Sequence, residues 1–136
     1  MYDLLKEVIK NGTARKAKTL KRPDIAGKTG TTNDLMDAWF AGFNSDIVTV
    51  TWMGYDQPKS LGNKETGSRA ALPIWIDYMR PLLKDYPIKN LVKPEGIIPY
   101  KINKKTGMTN NADENGFYEY FYEEYPPFDN SYFVIN

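Results

Sequence analysis

The chain has 136 residues, of which 41% are hydrophobic and 26% charged, enough for one packed domain and not typical of a wholly disordered chain. Eighteen basic and seventeen acidic residues leave a net charge of +1, without the strong basic excess of nucleic-acid-binding proteins. The chain contains no cysteine and no histidine, which excludes disulfides, thiol nucleophiles, zinc-finger ligand sets and a Ser-His-Asp triad within it.

No stretch of the sequence predicts a membrane span. The longest uninterrupted apolar run, residues 70–76, is far shorter than the roughly 20 residues that cross a bilayer. Met1 is followed directly by Tyr2 and Asp3, without the basic stretch and apolar core of a signal peptide. We therefore expect any membrane anchor or export signal to lie outside this chain.

Charge is distributed unevenly along the chain. Residues 1–33 contain eight Lys/Arg and three Asp/Glu, a net of +5, whereas residues 112–136 contain six acids and no base, a net of −6. The two ends can attract each other or face different partners, and the sequence leaves both alternatives open. The basic segment 15–22 fits contact with an anionic lipid or cell-wall polymer, but a solvated surface loop accounts for it equally well.

The first elements are a helix, a loop and a glycine-containing stretch. Residues 3–11 have apolar side chains at helical spacing, and Asn11-Gly12 predicts the end of that helix. Residues 13–22 are basic and show no periodicity, so we interpret them as a surface loop. Residues 24–31 are apolar and small, and if they form a strand their glycines let a ligand or a second backbone approach closely.

Two stronger strands follow. Residues 38–43 and 47–55 are rich in aromatic and β-branched side chains, and residues 44–46, Asn-Ser-Asp, are typical of a turn between them. In the second strand, alternating residue types predict that one face is more deeply buried than the other.

The clearest helix comes next. Ser68 is its predicted N-cap, and Pro81 is expected to kink or end it. Its apolar side chains recur on one face at helical spacing: Ala71, Ile74, Trp75, Tyr78, Met79 and Leu82. Together the elements predict an α+β fold in which an antiparallel three-stranded sheet is covered by helices.

The character of the sequence changes after Lys84. Residues 96–102 are predicted to form short strands and residues 103–107 a turn. The last 25 residues hold nine of the nineteen aromatic side chains, which favours an ordered but irregular appendage over a disordered tail. We therefore divide the chain into residues 1–84, with the strands and the last helix, and residues 85–136, an irregular C-terminal extension.

The tripeptide Lys28-Thr29-Gly30 is the first candidate for a catalytic or substrate-binding motif. In serine acyl-transferases that recognise β-lactams, such an element accompanies an S-x-x-K nucleophile motif and an S-x-N motif. A lysine ammonium attracts anions and helps to handle a proton, threonine hydroxyls hold a carboxylate, and glycine keeps the wall of a cleft flat. Because the tripeptide also occurs by chance in roughly a few per cent of chains this long, it does not decide the function by itself.

The longer context is more specific. Residues 28–43 read K-T-G-T-T-N-D-L-M-D-A-W-F-A-G-F, followed by V-T-V-T-W-M-G-Y-D and then by T-G-S-R-A-A-L-P-I-W. This order and spacing closely resembles the class A penicillin-binding proteins, the bifunctional enzymes that polymerise and cross-link peptidoglycan. Residues 94–98 and 119–121 also resemble their C-terminal extension. The resemblance covers about residues 4–125 and implies that residues 1–84 are the C-terminal portion of a transpeptidase domain, with part of the penicillin-binding/β-lactamase-like fold.

The resemblance implies a strand-lined cleft in which the D-Ala-D-Ala end of a stem peptide, or a penicillin, acylates a serine. Lys28 would lie near the S-x-N serine and assist proton transfer and carboxylate attraction. Thr29 and Thr31 would hydrogen-bond the carboxylate of the substrate, the Thr31 N–H would serve as an oxyanion donor, and Gly30 would keep the wall open. Acyl transfer through a serine ester requires no metal and no cofactor.

The chain departs from the family because it lacks the nucleophile. None of its four serines is followed by lysine three places later or by asparagine two places later. In the family, both missing motifs, a glycosyltransferase domain and a membrane anchor precede this region. We therefore predict that the chain alone is inactive and completes a site with the rest of the same protein, on the periplasmic face of the bacterial inner membrane. Its ligands would be D-Ala-D-Ala peptides and β-lactams, not nucleic acid.

Two alternatives from other classes stay open. A non-catalytic module could hold a peptide or glycan with the same strand, and a purely structural domain would make Lys28 an ordinary surface residue. If the chain is a fragment, it exposes a sheet edge, so we predict that it self-associates or stays bound to the remainder.

Other aromatic and acidic residues have simpler interpretations. Trp39, Trp52 and Trp75 are interpreted as core side chains rather than sugar-stacking platforms, because large aromatics dominate core burial. Asp37 is interpreted as a loop or cap residue rather than as an acid/base partner of Asp34.

Overall fold

The structure, a computed structural model, describes residues 1–109 and 115–127. The chain divides into two units, Met1–Leu91 and Val92–Asn136. No helix within the described residues has the length and apolar character needed to cross a membrane.

The first unit is built on an antiparallel sheet with strand order β1-β2-β3. Its strands are β1 (Ala26–Thr31), β2 (Ala38–Phe43) and β3 (Val48–Met53). Thr29 of β1 lies opposite Phe40 of β2, and Trp39 of β2 lies opposite Trp52 of β3. The turn between β2 and β3 is closed by Asn44, whose Oδ1 accepts two backbone N–H groups. The predicted α+β class with a three-stranded antiparallel sheet is confirmed.

Helices cover one face of this sheet. They are α1 (Tyr2–Lys10), a 3-10 helix (Arg15–Leu20) and α2 (Leu72–Leu82), which follows a π-helical turn (Gly67–Ala71). All of them contribute buried side chains to one core together with Ala38 and Phe40 of β2. At its centre the rings of Phe40 and Trp75 meet edge to face, with centroids 4.9 Å apart, and the Trp75 indole donates to the carbonyl of Thr49.

The basic segment that the sequence predicts as a loop contains the 3-10 helix. Ala14 and Ala17 are fully buried and Leu20 is half-buried, so the packed residues recur every third position. That period is the one of a 3-10 helix, which has three residues per turn. Two alanines among five basic residues are too weak an apolar pattern to reveal it.

The buried face of α2 differs from the predicted one by a small rotation. Ile74 and Tyr78 of the predicted face are exposed. Its other members pack into the core or against it, namely Ala71, Trp75, Met79 and Leu82, and they are joined there by Leu72, Ile76 and Leu83. Both stripes have helical spacing and similar apolarity, so periodicity alone does not separate them. The predicted cap is also wrong, because Ser68 lies within the π-helical turn and its Oγ pairs with Thr66 Oγ1 at 2.9 Å.

The second unit contains a two-stranded antiparallel sheet. Its strands are β4 (Ile97–Ile102) and β5 (Phe117–Tyr122), and the rings of Tyr100 and Phe121 meet edge to face across the pair. Asn103 opens the turn predicted after β4, since its Oδ1 accepts the N–H groups of Lys105 and Thr106. Much of the aromatic, acidic C-terminal segment lies outside the described residues, and the predicted division after Lys84 stays a prediction.

Candidate functional site

The K-T-G-T residues lie on β1, at one edge of the sheet. Within the described residues β1 pairs only with β2, so one backbone edge of β1 has no strand partner. Such an edge presents N–H and C=O groups to which an extended peptide can bind in the manner of an added strand. The four predicted site residues therefore occupy a position at which a peptide ligand can be held.

Lys28 and Gly30 point to the outer face of the sheet. They lie opposite Ala41 and Trp39, and directly opposite residues of an antiparallel pair share a face. Lys28 is exposed, its Nζ donates to the carbonyl of Thr29 at 3.0 Å, and no carboxylate within the described residues pairs with it. Its ammonium is thus available to an anion.

Gly30 has a packing reason as well as a predicted functional one. A Cβ atom at this position would lie 3.2 Å from the Cβ of Trp39, which is closer than an ordinary contact. The absence of a side chain therefore lets β1 and β2 approach at this pair, and it also leaves the outer face of β1 flat.

Thr29 and Thr31 point to the other face, toward the helices. Thr29 lies opposite the buried Phe40, and its Oγ1 is 2.8 Å from Oγ1 of Thr13, in the loop after α1. The Thr31 hydroxyl accepts the backbone N–H of Gly67 at 3.0 Å. Both hydroxyls are thus fixed by hydrogen bonds from elements that are distant in sequence.

Sequence reasoning missed Thr13 and Gly67. The signal for Gly67 was present, since a glycine stands in the T-G-S-R-A-A segment just before the apolar helix. Nothing in the sequence near Thr13 marks it as a partner of β1, because a single threonine in a basic segment has no distinguishing pattern.

The three tryptophans do not share one environment. Trp75 is fully buried, as predicted, whereas Trp39 and Trp52 are 42% and 44% exposed on the outer face of the sheet. Their rings lie 6.0 Å apart, and Trp52 Nε1 donates to Asp37 Oδ1 at 2.9 Å. The core prediction is therefore wrong for Trp39 and Trp52 in this chain, because the sequence does not reveal which face of the sheet the helices cover. Asp37 lies in the loop before β2, and its carboxylate accepts the hydrogen bond from the Trp52 indole.

The described residues hold no cluster of three or more His, Cys, Asp or Glu side chains that could bind a metal ion. A shallow depression lies between the 3-10 helix and the end of α2 and is lined by Leu20, Arg22, Arg80, Leu83 and Lys84. It includes none of the predicted site residues.

Comparison with known proteins places the chain in a family. No protein-family model matches it. It is 49% identical over 128 residues to penicillin-binding protein 1A of Pseudomonas aeruginosa, covering 93% of this chain and 16% of that protein. It is 52% identical over 98 residues to penicillin-binding protein 1A of Neisseria lactamica, covering 72% of this chain and 12% of that protein.

A solved structure gives the same result. The crystal structure of penicillin-binding protein 1A from Haemophilus influenzae matches with a TM-score of 0.86 and 36% identity, covering 94% of this chain and 20% of that chain. The chain thus spans less than a fifth of the length of these two curated relatives, and the predicted partial transpeptidase fold is confirmed. The resemblance read from the K-T-G-T-T, D-A-W-F and A-A-L-P-I-W segments is confirmed too, and the chain belongs to the class A penicillin-binding proteins, corresponding to one segment of penicillin-binding protein 1A.

Proposed function

We propose that this chain supplies the substrate-binding wall of a serine D,D-transpeptidase that cross-links peptidoglycan stem peptides and is acylated by penicillins. The observation that carries the proposal is the K-T-G-T sequence on an edge strand, in a chain that belongs to the penicillin-binding proteins. The chain would be the C-terminal portion of the transpeptidase domain, with residues 85–136 as an extension.

In this proposal the residues of β1 have separate roles. Lys28 attracts the carboxylate of the substrate and assists proton transfer, which its exposed ammonium supports. Thr29 and Thr31, whose side chains lie on the opposite face of β1 from Lys28, hold that carboxylate from the other side of the strand's free edge. The Thr31 N–H stabilises the oxyanion of the tetrahedral intermediate. One such donor is worth roughly a hundredfold to a thousandfold in acyl-transfer rate. Gly30 leaves the wall free of a side chain.

The nucleophile and the second serine motif would come from the rest of the same protein. No serine of this chain has the S-x-x-K or S-x-N spacing, so the chain alone is expected to be inactive. The site would lie on the periplasmic face of the inner membrane, with the membrane anchor and a glycosyltransferase domain in the preceding part of the protein.

A fluorescent penicillin tests the proposal. Two samples are compared: this chain alone, and the joined protein, in which this chain is continuous with the segment that carries the serine motifs. Both are incubated with the label and separated on a denaturing gel. Label on the joined protein and none on the chain alone supports the proposal. Covalent label on the isolated chain identifies one of its own serines as the nucleophile and contradicts it.

Lys28→Ala separates the transpeptidase from the structural alternative. We expect the rate of penicillin acylation of the joined protein to fall roughly a hundredfold or more, the usual loss when a group that assists proton transfer is removed. Lys59→Ala is the control. Lys59 is also an exposed lysine, but it lies outside β1 and its ammonium stands over the Tyr55 ring. Equal rates for both variants would make Lys28 an ordinary surface residue.

A further inference from the structure

The hydroxyl of Thr31 is held by a residue that follows it by 36 positions. Its Oγ1 accepts the backbone N–H of Gly67 at 3.0 Å. A threonine hydroxyl has two acceptor lone pairs and one donor hydrogen. Because the Gly67 N–H uses one lone pair, the hydroxyl hydrogen points away from Gly67 and is left to donate to another acceptor. Thr31 is exposed, so that acceptor can be a ligand.

Only glycine fits at position 67. A Cβ atom there would lie 2.4 Å from the carbonyl oxygens of both Gly30 and Trp39. These are backbone atoms of paired residues in β1 and β2, so they cannot turn aside as a side chain would. Gly67 therefore packs directly on the backbone of the K-T-G-T strand.

The turn that carries Gly67 is itself fixed. Thr66 enters it in an extended conformation, and its carbonyl accepts the N–H groups of Arg69 and Ala70. Ala70 and Ala71 are buried in the core and continue directly into α2. A π-helical turn at this point, a feature that often occurs at functional sites, connects the position of Gly67 to the packing of the last helix.

We infer that Gly67 is a positioning residue for Thr31. Its N–H holds the Thr31 oxygen and thereby directs the hydroxyl hydrogen toward a carboxylate bound along β1. The inference deepens the proposed function and rests on it, since the carboxylate is that of the stem peptide or the β-lactam. Gly67 itself does not contact the ligand.

The test compares benzylpenicillin with its methyl ester in the joined protein. The ester lacks the negative charge that a directed hydroxyl would recognise, so the acid-to-ester ratio of acylation rates reports on that hydrogen bond. Thr31→Val is expected to lower the ratio roughly tenfold to a hundredfold, the range for a hydrogen bond to a charged group. Thr31→Ser, which keeps the hydroxyl, should retain most of the ratio.

Gly67→Ala is expected to lower the same ratio, because its Cβ displaces the turn and the hydrogen bond is lost. Ser68→Ala is the control, since the Ser68 hydroxyl bonds to Thr66 and not to Thr31. If Gly67→Ala slows acylation by the acid and by the ester equally, its role is only structural and the inference falls. An unchanged ratio in Thr31→Val also overturns it.

Hydrogen exchange gives a readout that does not depend on activity. Thr31→Val should speed exchange of the Gly67 amide in the joined protein, and Thr31→Ser should not. Equal exchange in all three proteins would contradict the hydrogen bond. Absence of penicillin labelling in the unsubstituted protein overturns the proposed function itself, so the two failures are distinguishable.

Discussion

Arg22 and Asp24 form a buried ion pair with two hydrogen bonds, from Nε to Oδ1 at 2.7 Å and from Nη2 to Oδ2 at 2.6 Å. The side chains are 8% and 0% exposed. Arg22 Nη1 also donates to the carbonyls of Leu83 and Tyr86. The pair therefore joins the segment that enters β1 to the chain that leaves α2.

Arg22→Ala should strongly destabilise the first unit. It leaves the Asp24 carboxylate buried without its partner and removes the donor from three carbonyl groups, those of Leu83, Tyr86 and Pro87. Breaking such a pair costs about 3–5 kcal/mol of unfolding free energy. Urea unfolding of the protein measures the loss. Lys16→Ala, at an exposed position of the adjacent 3-10 helix, should change stability by no more than about 0.5 kcal/mol. A loss below about 1 kcal/mol for Arg22→Ala would show that the pair contributes little.

The same pair predicts a pH dependence of stability. Burial by itself raises the pKa of Asp24, but hydrogen bonds from Arg22 and from backbone N–H groups, that of Lys89 among them, outweigh it and leave the pKa below its usual value. Because the folded pKa lies below the unfolded one, near 3.9, ionised Asp24 stabilises the fold above that value. The contribution is lost as the pH falls through the folded pKa.

Unfolding free energies measured at about pH 6 and about pH 3 test this, since that interval contains the unfolded pKa. The unsubstituted protein should lose more stability between the two than Asp24→Asn does. Asp46, whose pKa the hydrogen bond from Lys89 lowers, leaves a residual slope in the variant. Parallel slopes for the two proteins would contradict the role of Asp24.

Gly42→Ala should destabilise the protein although alanine is the better residue for most strands. A Cβ atom at position 42 would lie 2.5 Å from Cζ2 of Trp75 and 2.7 Å from Cε1 of Phe40, in the centre of the core. Overpacking of this kind costs about 1–3 kcal/mol, whereas relief of glycine entropy would stabilise by about 0.4–1 kcal/mol. The change in melting temperature of Gly42→Ala shows which of the two effects is larger. Ala41→Ser, on the exposed face of the same strand, is the control. A rise in melting temperature for Gly42→Ala would refute the steric argument.

The strands were predictable because their signals are local. Aromatic and β-branched runs bounded by Asn44-Ser45-Asp46 specify the β2–β3 hairpin within a dozen residues, and the Asn44 side chain closes the turn as its residue type predicts. The 3-10 helix was not predicted because the apolar side chains that pack from it are only Ala17 and Leu20, with Ala14 just before it.

The residues of the candidate site were predictable from the sequence, but the contacts that hold their side chains were not. The K-T-G-T residues are contiguous in sequence, so their presence on one strand follows from the motif. The bonds that fix their hydroxyls connect Thr29 to Thr13 and Thr31 to Gly67, over 16 and 36 positions, and no local pattern encodes such pairs. Which face of the sheet the helices cover is likewise a tertiary property, and for that reason the exposure of Trp39 and Trp52 was not foreseen.

Strand β3 lies at the far edge of the sheet. It pairs only with β2 among the described residues, and its outward side chains Val48 and Val50 are 75% and 57% exposed. An apolar strand with a free edge is a template for pairing with a second chain. The isolated chain should therefore self-associate, with an apparent mass by light scattering that rises with concentration.

Val50→Lys should weaken this association, because a lysine on an edge strand opposes pairing with another strand. Val92→Lys adds the same charge at an exposed valine that belongs to the second unit and not to this sheet, so it controls for net charge. If both variants weaken association equally, charge repulsion alone is responsible and the edge of β3 is not the contact. A constant monomer mass for the unsubstituted chain over a wide concentration range would show that this edge does not pair at all.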